Sequence, residues 1–232
     1  MAEANLHARG HTVHSFDEDL AELSTKIVTM GAQVERELSS AMAALVDRDS
    51  DAAERVIAAD DQTDELEEEI DELAIRILAT RQPMAVDLRV VAMALKITND
   101  LERMGDYATN IAKRIKRINV TEPLKPMATI PLMAQICGAM VKDVLDAYIE
   151  RDDEKALEVW ARDAEVDEYY NQLFRDLLTY IVEDPKLSGP CIDLMFVCKN
   201  LERIGDHATN IAEKVYYSVR GDQLNRQRSK AP

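Results

Sequence analysis

The sequence predicts an all-α protein of six long helices that form two tandem, internally repeated three-helix bundles. Three observations support this fold class. The 232 residues include only 7 glycines and 7 prolines, while 5% of residues are aromatic and 31% are charged, which is typical of packed amphipathic helices. Long stretches place apolar residues at alternating steps of three and four, the spacing of one helix face. A segment of twelve residues also occurs twice with ten identities.

The helices follow from this apolar spacing and from the segments that interrupt it. The first ends at DRDSD, the second at TRQP and the third at a proline-rich segment. The fourth and fifth repeat the pattern of the first two around RDDEKA, and the sixth begins at DPKLSGP. The expected helices span 16–47, 51–79, 84–118, 127–151, 154–183 and 190–219.

The proline-rich segment NVTEPLKPMATIP marks the expected boundary between the two halves. It divides the chain into a first three-helix bundle over 16–119, a linker over 120–131 and a second bundle over 132–220. Flexible tails are expected at 1–15 and 221–232.

Two ungapped matches reveal the internal repeat. LERMGDYATNIA at Leu101–Ala112 returns as LERIGDHATNIA at Leu201–Ala212. Residues 44–64 match residues 147–167 with eight identities in 21 positions. The offset is 100 residues for the first match and 103 for the second, so only the hairpin between them differs in length. A repeat of this size indicates two similar bundles in tandem.

Charge and composition exclude several classes of function. A formal net charge of −16 argues against nucleic-acid binding and against an anionic membrane surface, because both require basic residues. The N-terminus lacks the apolar region of a signal peptide, and no apolar run is long enough to span a membrane. Three cysteines, an odd number, suit a reducing cytoplasm. No phosphate loop, nucleophile elbow or zinc-protease motif occurs, so we expect no enzyme.

Each copy of the repeated segment carries a glutamate four residues before an aspartate, on one side of a helix and away from its apolar seam. The preceding helix of each half carries two aspartates with the same spacing. Counting from the hairpin turns, at about 1.5 Å per residue, places each set of four at nearly equal height. Whether the side chains face one another sideways stays open. The two quartets are Asp60, Asp64, Glu102 and Asp106 in the first half, and Asp163, Asp167, Glu202 and Asp206 in the second.

Four carboxylates at one height repel one another unless something neutralises them. A bound cation does this directly, and oxygen ligands suit hard ions such as Mg²⁺, Mn²⁺, Ca²⁺ or ferric iron. A merely solvated acidic face is the alternative. It explains less well why glycine, threonine and asparagine, all weak helix formers, recur beside the carboxylates in both copies.

These motifs resemble the PhoU family. The similarity extends over nearly the whole chain, through SFDEDLAELSTKIVTMG, RQPMAVDLR, RDDEKA and both copies of the twelve-residue segment. The resemblance implies six helices in two bundles, with multinuclear iron or zinc clusters held by the two acidic quartets. Asn110 and Asn210 are candidate supporting residues.

The resemblance also implies a regulatory role. It predicts a cytoplasmic negative regulator of the phosphate-starvation (Pho) regulon that modulates uptake by the phosphate ABC transporter. The expected partners are the ATPase of that transporter and a sensor histidine kinase, and the expected assembly is a homodimer. Any association with the membrane would be peripheral, through the transporter.

Two alternatives remain open from the residues. One is a di-metal carboxylate oxidoreductase or metal store of the ferritin-like type, which calls for an inward-facing Glu-x-x-His motif that the helices lack. The other is a purely structural dimerising bundle with empty acidic faces. Stoichiometric metal in the untagged protein would exclude the second alternative.

Overall fold

The computed structural model describes residues 14–120, 122–124 and 128–224, and these residues form α-helices, one 3₁₀ turn and short connections, with no strand. The predicted all-α class is therefore confirmed. The helices are α1 (His14–Asp47), α2 (Ser50–Arg81), α3 (Val86–Ile118), α4 (Ile130–Glu150), α5 (Asp153–Ala161), α6 (Asp163–Glu183) and α7 (Ser188–Arg220), with the 3₁₀ turn at Pro185–Leu187.

One predicted helix is divided. The expected fifth helix, 154–183, is interrupted at Arg162 and becomes α5 and α6. The Arg162 amide donates to the carbonyl of Val159 at 3.1 Å, and the Glu165 amide donates to the carbonyl of Arg162 at 3.0 Å. Both bonds span three residues instead of four, so the chain tightens locally and the regular helix is broken. The expectation of a single helix here was wrong.

Two aspartates 103 residues apart start corresponding helices in the two halves. The Asp49 carboxylate accepts hydrogen bonds from the amides of the second and third residues that follow it, both at 2.9 Å. The Asp152 carboxylate does the same at 3.0 Å at the start of α5. This N-cap satisfies amides that have no partner within the helix. The repeat is therefore preserved in the helix starts as well as in the helix faces.

The expected tails and linker lie largely outside the described residues. Of the N-terminal tail only residues 14–15 are described, and α1 already begins at His14. Of the C-terminal tail, residues 221–224 follow α7 at Gly221, whose φ of +80° ends that helix in the left-handed conformation. Pro131 of the linker belongs to the first turn of α4.

The core forms around two sets of helices that pack against each other. Helices α1, α2 and α3 enclose the first, and α4 to α7 enclose the second, with α7 central. Helices α3 and α7 pack extensively, and α1 also contacts α4, so the two bundles share one continuous apolar cluster. Cys137, Cys191 and Cys198 are buried free thiols.

Ion pairs cross the α3–α7 interface at two places. The carboxylate of Asp100 lies 2.8 Å from Nδ1 of His207 and also binds Lys214. The buried carboxylate of Asp193 accepts from Arg114 at 3.0 Å. These contacts fix the register of the two central helices, and hence of the two repeated segments they carry.

Among the described helices, none is both long and apolar enough to cross a membrane.

Candidate metal sites on two acidic faces

Helices α2 and α3 approach closely where the first quartet lies. Gly105 is buried between Glu102 and Asp106, and a Cβ at this position would lie 3.2 Å from Cγ2 of Thr63 on α2. Such a contact is tight, so the glycine lets the two helix backbones come together. The helix propensity lost at Gly105 therefore serves the geometry of the acidic face.

Glu102 is the most perturbed carboxylate of the first quartet. Burial raises its pKa to about 7, with a further rise from the charges of Asp106, Glu67 and Asp64 that Arg103 opposes. Its Oε2 atom is buried and accepts no hydrogen bond. Burial makes this carboxylate costly to ionise, and Arg103, whose Nε lies 3.3 Å from Oε2, offsets only part of that cost.

Asp60 connects the α2 pair to the α3 pair. Burial raises its pKa, and the charges of Asp106 and Asp64 raise it further. Asp64 and Asp106 likewise raise the pKa of Glu102 after burial, so each α2 aspartate interacts with at least one carboxylate of α3. The structure therefore brings this quartet together sideways, which counting residues along the helices could not establish.

In the second quartet, charge interactions join Asp206 to Glu202 and Asp167. Burial raises the pKa of Asp206, and the charges of Glu202 and Asp167 add to the rise. The Oε2 atom of Glu202 is buried without a hydrogen-bond partner, while its Oε1 atom accepts from Lys199 at 2.6 Å. Asp163, by contrast, is buried in the first turn of α6, close enough to the Cys137 thiol to affect its pKa.

One arginine accompanies each copy of the repeated segment. Arg103 donates to Asp106 at 3.0 Å, and Arg203 donates to Asp206 at 3.3 Å. Both arginine side chains are about half exposed, at 51% and 49%. Each arginine also lies near the glutamate of its segment, with Nε of Arg103 at 3.3 Å from Oε2 of Glu102 and Nε of Arg203 at 3.8 Å from Oε2 of Glu202, although neither Oε2 atom accepts a hydrogen bond.

Two acidic residues beside the first quartet are not among its predicted members. Glu67 belongs to a run that reads as a solvated helix face, yet burial raises its pKa, and Asp71 and Asp64 add to the rise. Glu37 on α1 is only 2% exposed, and burial raises its pKa, with a further contribution from Asp60. A signal existed for Glu37, because it follows Gln33 by one helix turn on the apolar face of α1.

The donor atoms fit a hard cation in kind. They are carboxylate oxygens, two of which are buried without a hydrogen bond, and burial together with mutual repulsion raises the pKa values of Glu102 and Asp206. Within the part of the chain that the structure describes, however, no group of three or more His, Cys, Asp or Glu side chains closes around one point as a metal site. Binding would require side-chain rotation at each face.

Asn110 is exposed and Asn210 lines a cleft between α3 and α7, so their supporting role stays a prediction.

Comparison with known proteins places the chain in a family. The family model described as "PhoU domain" matches residues 27–115 and 130–215, once in each bundle. The chain belongs to the PhoU family. The resemblance seen in the sequence is therefore confirmed, and the two family domains correspond to the two repeated bundles.

PhoU relatives match this chain along almost its whole length. Proteins named "Phosphate-specific transport system accessory protein PhoU homolog" from Caulobacter vibrioides and Zymomonas mobilis are 47% and 48% identical. The first match covers 95% of this chain and 96% of the relative, and the second covers 93% and 91%.

Solved PhoU structures share the fold. The crystal structure of PhoU from Pseudomonas aeruginosa matches with a TM-score of 0.86 at 38% identity, covering 89% of this chain and all of that chain. That of the phosphate transport system regulatory protein PhoU from Streptococcus pneumoniae matches with a TM-score of 0.85 at 27% identity, covering 90% and 99%.

Proposed function

We propose that this PhoU family member is an accessory regulator of a phosphate-specific transport system. In this role it modulates uptake by the phosphate ABC transporter and keeps the phosphate-starvation regulon repressed when phosphate is plentiful. It acts at the cytoplasmic side as a homodimeric adaptor between the transporter ATPase and a sensor histidine kinase, by binding and without catalysis.

One observation carries this proposal. Relatives that share 47–48% identity over more than nine tenths of this chain are named as accessory proteins of phosphate-specific transport. The similarity includes both bundles and both repeated segments, so it is not limited to a shared helical scaffold. The acidic surface, with a net charge of −16, suits basic protein surfaces as partners and not phosphate-rich polymers.

A reporter experiment tests the regulatory role. In a strain that lacks its own PhoU protein, a phosphate-starvation promoter should be active even in high phosphate. Expression of this chain should restore repression in high phosphate and leave induction in low phosphate intact. A strain in which the chain is produced and folded, but the promoter stays active, would contradict the proposal.

We further propose that the two acidic faces bind metal ions, held by the two quartets. Iron or zinc clusters follow from the family, and Mg²⁺ or Mn²⁺ would suit the same oxygen ligands. The support is a buried glutamate oxygen without a hydrogen bond on each face, beside acidic neighbours that repel it.

Elemental analysis of the untagged protein tests the metal sites. The expected result is stoichiometric metal that falls by about half in Asp106→Ala and in Asp206→Ala, and is lost in the double variant. Asp176→Ala is the control, because Asp176 is exposed on α6. Metal content that is unchanged in the double variant would refute these ligands.

A further inference from the structure

The first acidic face has a buried carboxylate behind it. Glu37 is 2% exposed and projects from α1 toward α2 and α3. Its Oε1 atom accepts hydrogen bonds from Gln33 at 2.9 Å and from the Thr63 hydroxyl at 2.8 Å. The Gln33 side chain in turn accepts from Arg36 at 2.7 Å. This polar network lies within an otherwise apolar core and links α1 to α2.

The second oxygen of Glu37 has no partner and lies against the repeated segment. Oε2 is fully buried without a hydrogen bond, at 3.2 Å from the position that a Cβ on Gly105 would take. Gly105 separates Glu102 from Asp106, and Glu37 is also close enough to Asp60 for their charges to interact. A buried carboxyl group with one oxygen free of hydrogen bonds therefore lies directly behind the first quartet.

The second bundle serves as an internal control. At the offset of 103 residues, Gln33, Glu37 and Thr63 correspond to Ile136, Met140 and Val166. Met140 is completely buried, and Gly205 packs against Val166, where a Cβ would lie 3.3 Å from Cγ1. The fold thus accepts an apolar trio at this place, so the polar trio of the first bundle is not needed for packing.

We propose that Glu37 is a positioning residue. It makes the first acidic face bind a hard cation more tightly than the second acidic face does, an inference that rests on the metal sites proposed above. It does so in two ways. Its ionised form is favoured by a cation held by the quartet, and in surroundings of low dielectric that carboxylate attracts the cation in turn. Its bond from Thr63 fixes α2 against α3, as partners behind metal ligands do, and removing such a partner costs about tenfold to a hundredfold in affinity.

Titration of the full-length, chelator-treated protein with Mn²⁺ tests this inference. The double variant Glu202→Ala, Asp206→Ala leaves only the first face able to bind the ion. The double variant Glu102→Ala, Asp106→Ala leaves only the second face. The first face should bind Mn²⁺ more tightly. Glu37→Gln should weaken binding to the first face about tenfold or more and leave the second unchanged.

A matched control tests whether loss of any carboxylate on α1 has the same effect as loss of Glu37. Glu22→Gln, which alters an exposed residue of the same helix, should change neither affinity. The electron paramagnetic resonance spectrum of Mn²⁺ on the first face should differ between Glu37→Gln and the parent, which loss of stability alone would not produce. If Glu37→Gln folds poorly, the triple variant Gln33→Ile, Glu37→Met, Thr63→Val introduces the side chains of the second bundle at this place. In this variant the Mn²⁺ affinity of the first face should fall to that of the second face.

Two outcomes would overturn the inference. Equal Mn²⁺ affinity of the two faces, or an affinity of the first face that Glu37→Gln does not change, would refute the role of Glu37 while leaving the metal sites standing. Absence of Mn²⁺ binding at both faces would refute both proposals about metal. Neither result would bear on the regulatory role, which the promoter experiment tests separately.

Discussion

The two repeated segments have the same helical geometry but different electrical surroundings. In the second bundle Lys199 donates to Glu202 at 2.6 Å, whereas the corresponding position of the first bundle is Asn99. In the first bundle Glu37 adds a buried carboxyl group, whereas the second has Met140. Ten identities in twelve positions therefore preserve packing, while residues outside the segment decide how negative each face is.

The largest effect should come from breaking the packing that the two copies share. Leu101 and Leu201 are both completely buried on α3 and α7. Leu101→Ala and Leu201→Ala should each lower the free energy of unfolding by about 2–5 kcal/mol, because each leaves a cavity. Urea denaturation measures this. Similar losses would confirm equivalent packing, and a loss below 1 kcal/mol in either variant would count against it.

The next effect concerns the charge of Glu102 in chelator-treated protein. Its pKa is about 7 in the folded protein against an ordinary value of 4.5, so the folded state binds the proton more tightly than the unfolded chain. Through this group, stability is greatest at low pH and falls as the pH rises toward 7. Glu102→Gln should therefore stabilise the protein by about 1–2 kcal/mol at pH 8 and by little at pH 5.

Thermal denaturation across this pH range measures the effect. Glu202→Gln is the matched variant, and its gain should be smaller because it also removes the ion pair with Lys199. If Glu102→Gln were destabilising at pH 8, or if its benefit grew on acidification, the buried charge of Glu102 would not be the cause.

A smaller effect should follow when the second face is made more like the first. Lys199→Asn removes the cation that competes for Glu202. In protein whose first face is disabled by Glu102→Ala and Asp106→Ala, it should tighten Mn²⁺ binding severalfold, in the range of a partly exposed ion pair. Titration calorimetry measures the change. Weaker binding in this variant would show that Lys199 supports the site instead of competing with the cation.

The smallest effect should distinguish the two glycines. Alanine gains about 1 kcal/mol of helix propensity over glycine at either position. In Gly205→Ala the new methyl group meets Val166, so the variant should be neutral or slightly stabilised. In Gly105→Ala it meets the unpaired oxygen of Glu37, so a loss of about 0.5–1 kcal/mol is expected. Urea denaturation measures both changes in the free energy of unfolding. Equal changes in the two variants would mean that the Glu37 side chain moves aside at little cost.

Much of the fold could be read from local sequence, because helix faces and caps depend on residues within one or two turns. The break at Arg162 could not, since it lies within a continuous helical pattern and involves a side-chain bond to Asp143 on another helix. Estimating heights by counting residues assumes a constant rise per residue along one helix, and this assumption fails at Arg162.

For the candidate sites, the sequence by itself determined which carboxylates share a helix side and that two such faces exist, because both follow from a period of 3.6 residues and an internal repeat. Only the tertiary structure decided what lies behind each face. Glu37 comes from a helix 65 residues away from Glu102 in sequence, and its burial beside Gly105 depends on how three helices pack. Charge in a folded protein acts through space, and residues distant along the chain set its strength.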